Sequence, residues 1–418
     1  IRLSYGSLGN QQIGYYDFIQ TITTKGSMSD YSFDGTVLGQ HATVSDPVSG
    51  DQTWEKVVSK NLGLDLNMFN NRLSLTTDFY IRDTKGILGK GKSLPSIYGA
   101  SEPQMNANNL RTKGYELVLG WRDSFKLAGS TFSYGITGTF SDYTAEYTKC
   151  DNPTGLIGDP YVGKKYGEIW GYKVDGLFRN DKEAAEYASR IDLSTVASGY
   201  YTATGAYGKG VRGGDIKYLD LNGDNIVNGG KGTLDDPGDR RVIGNSSPRY
   251  QYGASLNFSW YGFDVSVFMQ GIGRLDWYPG ADNLRFWGPY CRPYATFVPK
   301  NFMSQVWSEE NPDAYFPRAR AYTSLNSNSG TAYYTNDRYL QNLAYCRLKN
   351  LTVGYTLPRQ WTRKALIESL RIYFTGENLF TWSGIRSDYI DPEMAATNGN
   401  LRLYPWQRTY MFGVDVTF

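Results

Sequence analysis

The chain has 418 residues, a formal net charge of +2 and a hydrophobic content of 40%. This near-neutral charge, without a prominent basic stretch, excludes nucleic acid as the main partner, because phosphate contacts need clustered Lys and Arg. No apolar run approaches the roughly 18 residues that a membrane-spanning helix requires, which excludes a helical membrane protein. A membrane β-barrel is not excluded, because its strands alternate lipid-facing and interior residues and give a weak hydropathy signal.

Other residue counts favour a β-rich wall and disfavour metal or redox chemistry. Aromatic residues make up 15% of the chain, with 35 Tyr and 47 Gly. The single histidine, His41, leaves little material for His-based catalysis. Cys150, Cys291 and Cys346 follow neither zinc nor redox spacing, so at most one loop disulfide is expected. Residues 1–8 already have the pattern of a strand and no signal peptide precedes them, so we expect the chain to begin inside a longer protein.

An alternation of apolar and polar residues recurs along the chain and predicts about ten strands. The apolar rows identified in these strands, such as Leu62, Leu64 and Leu66, are free of charge, while charged residues such as Asp78, Asp264 and Arg371 fall on the other row. A shift of the apolar register between Leu348 and Leu351 predicts a β-bulge near Asn350. The predicted strands, in chain order, cover residues 1–8, 57–69, 72–82, 115–122, 132–140, 251–260, 263–270, 351–357, 370–374 and 410–418.

The connections between these strands alternate between long and short. Long ones are predicted at residues 9–55, 84–111, 142–248, 272–342 and 383–407, and short ones near 70, 123–129, 261 and 358–368. Transmembrane barrels have this asymmetry, with short periplasmic turns and long external loops. We therefore predict an all-β fold of antiparallel strands, with the long connections, including 142–248 and the aromatic-rich 272–342, outside the cell.

The last strand has an unbroken apolar row, formed by Tyr410, Phe412, Val414, Val416 and Phe418. A row of this kind is an aggregation hazard in water but is what lipid requires of a barrel wall. The stretch also resembles the carboxy-terminal assembly signal of Gram-negative outer-membrane barrels, which implies recognition by the barrel-assembly machinery. The alternative is an ordinary edge strand of a soluble sheet.

Several longer motifs are spread over nearly the whole chain. Among them are NNRLSLTTDFYIRDTKGIL from Asn70, GDIKYLDLNGD from Gly214 and YCRLKNLTVGYTLP from Tyr345, followed by LRIYFTGENLFTWSG from Leu370 and the closing YPWQRTYMFGVDVTF from Tyr404. As a set, and in their order, they resemble the SusC/RagA-like TonB-dependent outer-membrane transporters. The resemblance implies that residues 1–418 are the C-terminal part of a barrel of about 22 strands in the Gram-negative outer membrane. The plug and the N-terminal strands are absent from this chain.

The same resemblance implies a function and partners. The barrel would import oligosaccharides, or peptides, with a SusD-like surface lipoprotein as a lid and with energy from the TonB complex, which acts through the missing N-terminal region. A passive porin is the second hypothesis, and upstream sequence with a plug and a TonB box would decide against it. A soluble carbohydrate-binding or hydrolytic β-protein is the third. It predicts charge on both strand faces and solubility without detergent.

A calcium site is predicted in the long connection at residues 220–228. Oxygen side chains occupy positions 1, 3, 5 and 9 of a calcium-loop pattern, at Asp220, Asn222, Asp224 and Asn228. Asn225 replaces the usual Gly, and Lys231 stands where an acid should close the site. Asn tolerates the left-handed turn, and Asp239, after an insertion, can supply the acid. The alternative is a polar turn that binds no metal.

A contact site for substrate or lid is predicted in the next long connection. Aromatic rings with flanking polar groups suit stacking on sugar rings. The alternative is packing between loops. The candidates are Trp277, Tyr278, Phe286, Trp287, Tyr290 and Arg292. The acid pairs Glu309-Glu310 and Asp235-Asp236 lack an accompanying nucleophile and base, so no enzymatic activity is expected.

Overall fold

In the computed structural model the chain consists mainly of β-strands. The structure describes residues 1–10, 19–26, 32–33, 36–37, 40–50, 52–90, 97, 99, 102–202, 210–291, 298–320, 325, 331–387, 389–395 and 406–418. The strands are β1 (Arg2–Asn10), β2 (Ile22–Gly26), β3 (Ser32–Phe33), β4 (Thr36–Val37), β5 (Gln40–Val44), β6 (Glu55–Met68), β7 (Leu73–Lys90), β8 (Gln104–Leu127), β9 (Ser130–Lys149), β10 (Glu168–Tyr172), β11 (Val174–Leu177), β12 (Ile216–Tyr218), β13 (Arg240–Asn245), β14 (Arg249–Trp260), β15 (Phe263–Arg274), β16 (Asp276–Trp277), β17 (Gln341–Asn342), β18 (Tyr345–Thr356), β19 (Ser369–Ser383) and β20 (Thr409–Thr417).

The helices are short and lie in the connections. They are α1 (Asp181–Ala188), α2 (Ser198–Thr202), α3 (Leu284–Trp287), α4 (Arg359–Thr362) and α5 (Pro392–Ala395), with 3₁₀ turns at Gly288–Tyr290, Met303–Gln305 and Arg363–Ala365. Within the described part of the chain, no helix has the length and apolarity needed to cross a membrane.

Ten of the strands form one antiparallel sheet, in the order β1-β6-β7-β8-β9-β14-β15-β18-β19-β20. Each strand of this sheet lies beside the strand that precedes it in the sheet along the chain, so the topology is an up-and-down meander. The predicted all-β fold of about ten antiparallel strands is confirmed. The long connections also contain small paired strands, such as β10 with β13 and β11 with β12.

Tight turns close two of the short connections, and their backbone conformation explains the residues found there. Asn70 and Asn71, which join β6 to β7, have φ values of 57° and 64°, as predicted for that pair. Tyr261 and Gly262 join β14 to β15 with φ values of 48° and 84°. A Cβ on Gly262 would approach the Thr356 carbonyl oxygen to 2.5 Å, so a residue without a side chain is required there.

The predicted bulge is present in β18. The register of β15 against β18 moves from Phe268–Asn350 to Met269–Leu348, so Lys349 has no partner on that side. The register of β19 against β18 shifts at the same place, between Leu348 and Asn350. One extra residue in a strand reverses which side chains face each side of the sheet. The apolar row of β18 therefore continues on the same face of the sheet past the bulge.

Several strands are longer than the alternation predicts. Strand β7 continues to Lys90 and β8 begins at Gln104, so this connection is shorter than the predicted 84–111. Here Asn106 donates its side-chain amide to the Gly86 carbonyl at 2.6 Å and to the Thr53 carbonyl at 2.8 Å. Backbone pairing thus continues into polar sequence, where no apolar face has to be covered and the alternation gives no signal.

The chain divides into two compact units. The first comprises residues 1–63, 78–114 and 143–166, and the second comprises 64–77, 115–142 and 167–418. The main hydrophobic cluster lies in the connections of the second unit. Its fully buried members include Phe178, Leu193, Ile216, Trp287 and Tyr339. The long connections therefore have a packed core of their own, which the sequence analysis treated only as loops.

Candidate functional site

The apolar rows of the sheet remain at the surface. No residue that the alternation places on these rows is fully buried in the described chain. Leu256, Val353 and Ile372 are all exposed, and Phe412 in the last strand is 82% exposed. Water-soluble proteins rarely leave apolar patches of this extent uncovered, whereas a strand that faces lipid must have them. A soluble β-protein, with these rows packed into a core, is not supported.

The opposite face of the sheet has ion pairs that run across strands. Arg371 on β19 donates to both carboxylate oxygens of Asp264 on β15 at 2.9 and 2.7 Å, and to Asp415 on β20 at 3.1 Å. The first of these contacts passes over β18 at Gly354, where a Cβ would lie 2.5 Å from Asp264 Oδ1. This polar face also borders an open cavity of about 720 Å³, lined by Arg122, Asn257 and Asp264 among others. The charges therefore lie on the row where the sequence predicted them.

The predicted calcium loop is a network of side-chain to backbone hydrogen bonds. Asp220 accepts from the amides of Gly223 at 2.7 Å and Asn225 at 2.9 Å, and Asp224 accepts from the amide of Ile226 at 2.8 Å. Asn222 donates its side-chain amide to Asp224 at 2.9 Å, and Asn228 accepts from the Gly230 amide at 2.6 Å. Asn225 has φ 64°, the left-handed turn predicted for it.

Asp239 closes this loop. It is fully buried, and its two carboxylate oxygens accept from the amides of Leu221 at 2.7 Å and Asn228 at 2.9 Å. It is therefore brought to both ends of residues 220–228, as the sequence analysis expected after the insertion. Across the described residues, no three His, Cys, Asp or Glu side chains converge closely enough to hold a metal ion. Each carboxylate oxygen nevertheless keeps a lone pair beyond its amide contact, and calcium binding stays a prediction.

Most of the predicted aromatic contact site is part of the loop core. Phe286, Trp287 and Tyr290 are buried, and they pack with Phe316 and Tyr339 at ring separations of 4.9 to 6.5 Å. The Trp287 indole donates to the carbonyls of Pro279 and Gly280, which fixes its ring. For these three side chains the arrangement matches the alternative of packing between loops, because a ligand has no access to their faces.

The other members of that set have different positions. Trp277 and Tyr278 are half-buried, and the Tyr278 hydroxyl donates to the Tyr334 carbonyl at 3.0 Å. Arg292 lies outside the described residues. Contact of these three side chains with a substrate or a lid stays a prediction.

Among the described residues, the last strand pairs with β19 alone. In β20, Phe412 and Val414 lie opposite Phe374 and Ile372 of β19, and β20 is the last strand of the sheet order. Tyr410, Phe412, Val414, Val416 and Phe418 are all exposed. Their exposure is compatible with recognition as a barrel-assembly signal, which stays a prediction. The acid pair Glu309-Glu310 is exposed, and in the other pair Asp236 accepts from the Gly238 amide at 3.4 Å.

A polar cavity among the connections was not predicted from the sequence; it is lined by Tyr315, Arg338 and Arg386 with other residues. These side chains come from two different connections and form no local motif. Only the fold brings them together.

No protein-family model matches the chain. Individual known proteins match it over its whole length. TonB-dependent receptors P3 and P26 of Formosa agariphila are 25% and 27% identical to it over all of the chain and 39% and 40% of the receptors. TonB-dependent receptor SusC of Bacteroides thetaiotaomicron is 21% identical over all of the chain and 37% of the receptor. The chain thus spans about two fifths of the length of these relatives.

Solved structures also match the chain in fold. The RagAB peptide transporter matches all of the chain and 40% of the solved chain, with a TM-score of 0.68 and 20% identity. The RagAB peptide importer in the open-open state matches with a TM-score of 0.66 and 22% identity. The resemblance stated from the sequence is confirmed: over its whole length the chain is homologous to proteins named TonB-dependent receptors, SusC among them, and its fold matches the corresponding part of the solved RagAB chain.

Proposed function

We propose that the chain is the C-terminal part of the barrel wall of an outer-membrane importer. The complete protein takes up oligosaccharides or peptides, with a SusD-like surface lipoprotein over its outer opening and energy from the TonB complex. The observation that supports this most strongly is the exposure of the apolar rows on all parts of the sheet, beside a polar opposite face with ion pairs. This separation is that of a wall between hydrocarbon and an aqueous or plugged interior.

The relatives support the same class of function. They are named TonB-dependent receptors, and the solved structures are of a peptide transporter or importer. Because this chain spans only part of each relative, its substrate, its lipoprotein partner and its use of TonB are all part of the proposal. The orientation follows from strand parity, with the short turns in the periplasm and the long connections outside the cell.

The test uses the full-length protein in its own host. We expect it in the outer-membrane fraction, extractable by detergent and not by salt. Uptake of its oligomeric substrate should stop when either TonB or the partner lipoprotein gene is deleted. Uptake that continues without TonB would instead identify a passive porin. Extraction by salt alone would favour a soluble β-protein and overturn the proposal.

The site residues have proposed roles within this function. Asp220, Asn222, Asp224, Asn228 and Asp239 form a weak external calcium site, since millimolar Ca²⁺ outside the cell fills sites with incomplete ligand sets. Trp277, Tyr278 and Arg292 contact substrate or lid, with Phe286, Trp287 and Tyr290 supporting them from the loop core. The exposed row from Tyr410 to Phe418 is read by the barrel-assembly machinery.

A further inference from the structure

A polar cavity of about 460 Å³ lies among the long connections of the second unit. Its volume falls in the range of small-molecule sites. Four separate segments supply its lining, and five of the six lining residues have polar side chains. They are Val174, Asp313, Tyr315, Asp337, Arg338 and Arg386.

The acidic side chains of this cavity are already paired with cations. Asp337 accepts from Lys173 Nζ at 3.1 Å and from the Val174 amide at 3.0 Å. Asp313 lies 3.9 Å from Arg179, an exposed and weak pair. Neither acid therefore neutralises the arginines beside it.

The two arginines of the cavity have no such compensation. Arg338 donates to the main-chain carbonyls of Ala314 at 2.7 Å and Tyr315 at 3.0 Å, and Arg386 lies over the Tyr315 ring at 4.2 Å. Throughout the described ranges, no carboxylate is within ion-pair distance of either guanidinium. The Tyr315 side of the cavity therefore has two guanidinium groups without an ion-pair partner among the described residues.

These cationic groups are held in place before any ligand arrives. Gln341 is buried, donates to the Tyr315 hydroxyl at 2.9 Å and accepts from the Arg386 amide at 3.3 Å. One side chain thus positions both the ring and the backbone of the arginine that stacks on it. Arg338 is fixed by its carbonyl contacts. Pre-organisation of this kind lowers the entropy lost when a ligand binds.

We propose that this cavity is an anion subsite, which binds a carboxylate group of the imported oligomer through Arg386 and Arg338. The Arg386 guanidinium, supported by the Tyr315 ring, can donate two parallel hydrogen bonds to a carboxylate. Arg338 adds a donor through Nη1, because its Nε and Nη2 already donate to main-chain carbonyls. A hexuronate unit of an oligosaccharide and an acidic residue of a peptide share this chemistry. The inference rests on the proposed function, because it requires the long connections to face the external medium.

The test measures ligand affinity of the full-length receptor, purified in detergent, by calorimetry. The probes are a hexuronate tetrasaccharide, an acidic tetrapeptide and a neutral counterpart of each. Arg386→Gln should weaken binding of the acidic probe by about tenfold or more, because a charge-assisted hydrogen bond is lost. Arg386→Lys keeps the positive charge but cannot donate two parallel hydrogen bonds. Its affinity for the acidic probe should therefore lie between those of the wild type and Arg386→Gln. Arg190→Gln removes an exposed arginine elsewhere in the connections and should change nothing.

The outcomes separate the subsite from the proposed function. The acidic probe whose affinity falls in Arg386→Gln shows whether the bound carboxylate comes from a hexuronate unit or from an acidic residue of a peptide. Equal affinity for acidic and neutral probes, no binding of either acidic probe, or an unchanged affinity in Arg386→Gln overturns the subsite. Weaker binding of the lipoprotein with unchanged ligand affinity would also overturn it, in favour of a protein contact. Arg386-dependent binding without TonB-dependent uptake would leave the subsite standing and refute the importer.

Discussion

Arg347, which is 1% exposed, donates from Nη2 to Asp391 Oδ2 at 2.7 Å and thereby joins strand β18 to the connection between β19 and β20. Its Nη1 donates to Glu393 at 2.8 Å, and Glu393 also accepts from Lys349 at 2.9 Å. Lys349 is the residue that the bulge leaves unpaired on the β15 side. The bulge in β18 therefore lies beside the ion pairs that hold helix α5 in place.

Replacing Arg347 by Met should release α5 and the residues around it. Two carboxylates would lose their buried cationic partner, and breaking a buried pair of this kind costs about 3–5 kcal/mol. Faster amide exchange at residues 384–395 of the full-length protein, measured by mass spectrometry, is the expected result. The exposed Lys364→Met is the matched control, with no change expected there. Unaltered exchange in Arg347→Met would mean that apolar packing alone holds α5.

A second buried pair gives a pH dependence. Arg320 donates to Asp215 at 2.6 and 3.0 Å, with the two side chains 4% and 1% exposed. Burial raises the pKa of Asp215 to about 6, although the Arg320 guanidinium opposes this shift. The folded connection therefore binds a proton more readily than the unfolded chain between about pH 4 and 6. The contribution of Asp215 to stability is greatest below pH 4 and is lost as the pH rises through 6.

Amide exchange around residues 210–218, corrected for the effect of pH on the intrinsic exchange rate, can measure how the stability contributed by Asp215 changes with pH. In the wild type the local free energy of opening should fall by up to about 3 kcal/mol from pH 4 to pH 7, given 1.36 kcal/mol per pKa unit. Asp215→Asn cannot titrate and should lack this decrease. The same pH dependence in the variant would assign it to another group.

The sequence predicted the sheet well and the connections poorly, for physical reasons. Rows such as that of Leu256 are visible because one face of the sheet has apolar side chains along each strand, and the bulge at Lys349 is visible because the alternation shifts there. In the connections no such constraint acts. Phe286 and Trp287 are buried by segments far apart in the chain, and Arg338 meets Arg386 through the fold alone. Contacts of this kind leave no period in the sequence.

Calcium should order the loop at residues 220–239 if the predicted site exists. Millimolar Ca²⁺ is expected to slow amide exchange there in the wild type, because the ion draws together oxygens that now accept only one backbone amide each. Asp224→Asn should abolish the response and leave the loop folded, since Asp224 is exposed. Mg²⁺ at the same concentration is the control, because it prefers a rigid octahedral site with waters. Protection that does not respond to Ca²⁺ would support the polar turn that binds no metal.

Replacing Leu256 by Arg tests which face of the sheet meets lipid. Leu256 lies in the middle of β14, opposite Ile136 of β9 and Val267 of β15, and is 37% exposed. An arginine on the lipid face near the bilayer midplane costs about 2–4 kcal/mol, so the full-length variant should show less heat-resistant folded barrel in the outer membrane. The neighbouring Asn257 lines the open cavity of about 720 Å³ that borders the other face, and Asn257→Arg should assemble normally because this cavity has room for it. Normal assembly of Leu256→Arg together with failure of Asn257→Arg would reverse the two faces, and the orientation of the wall with them.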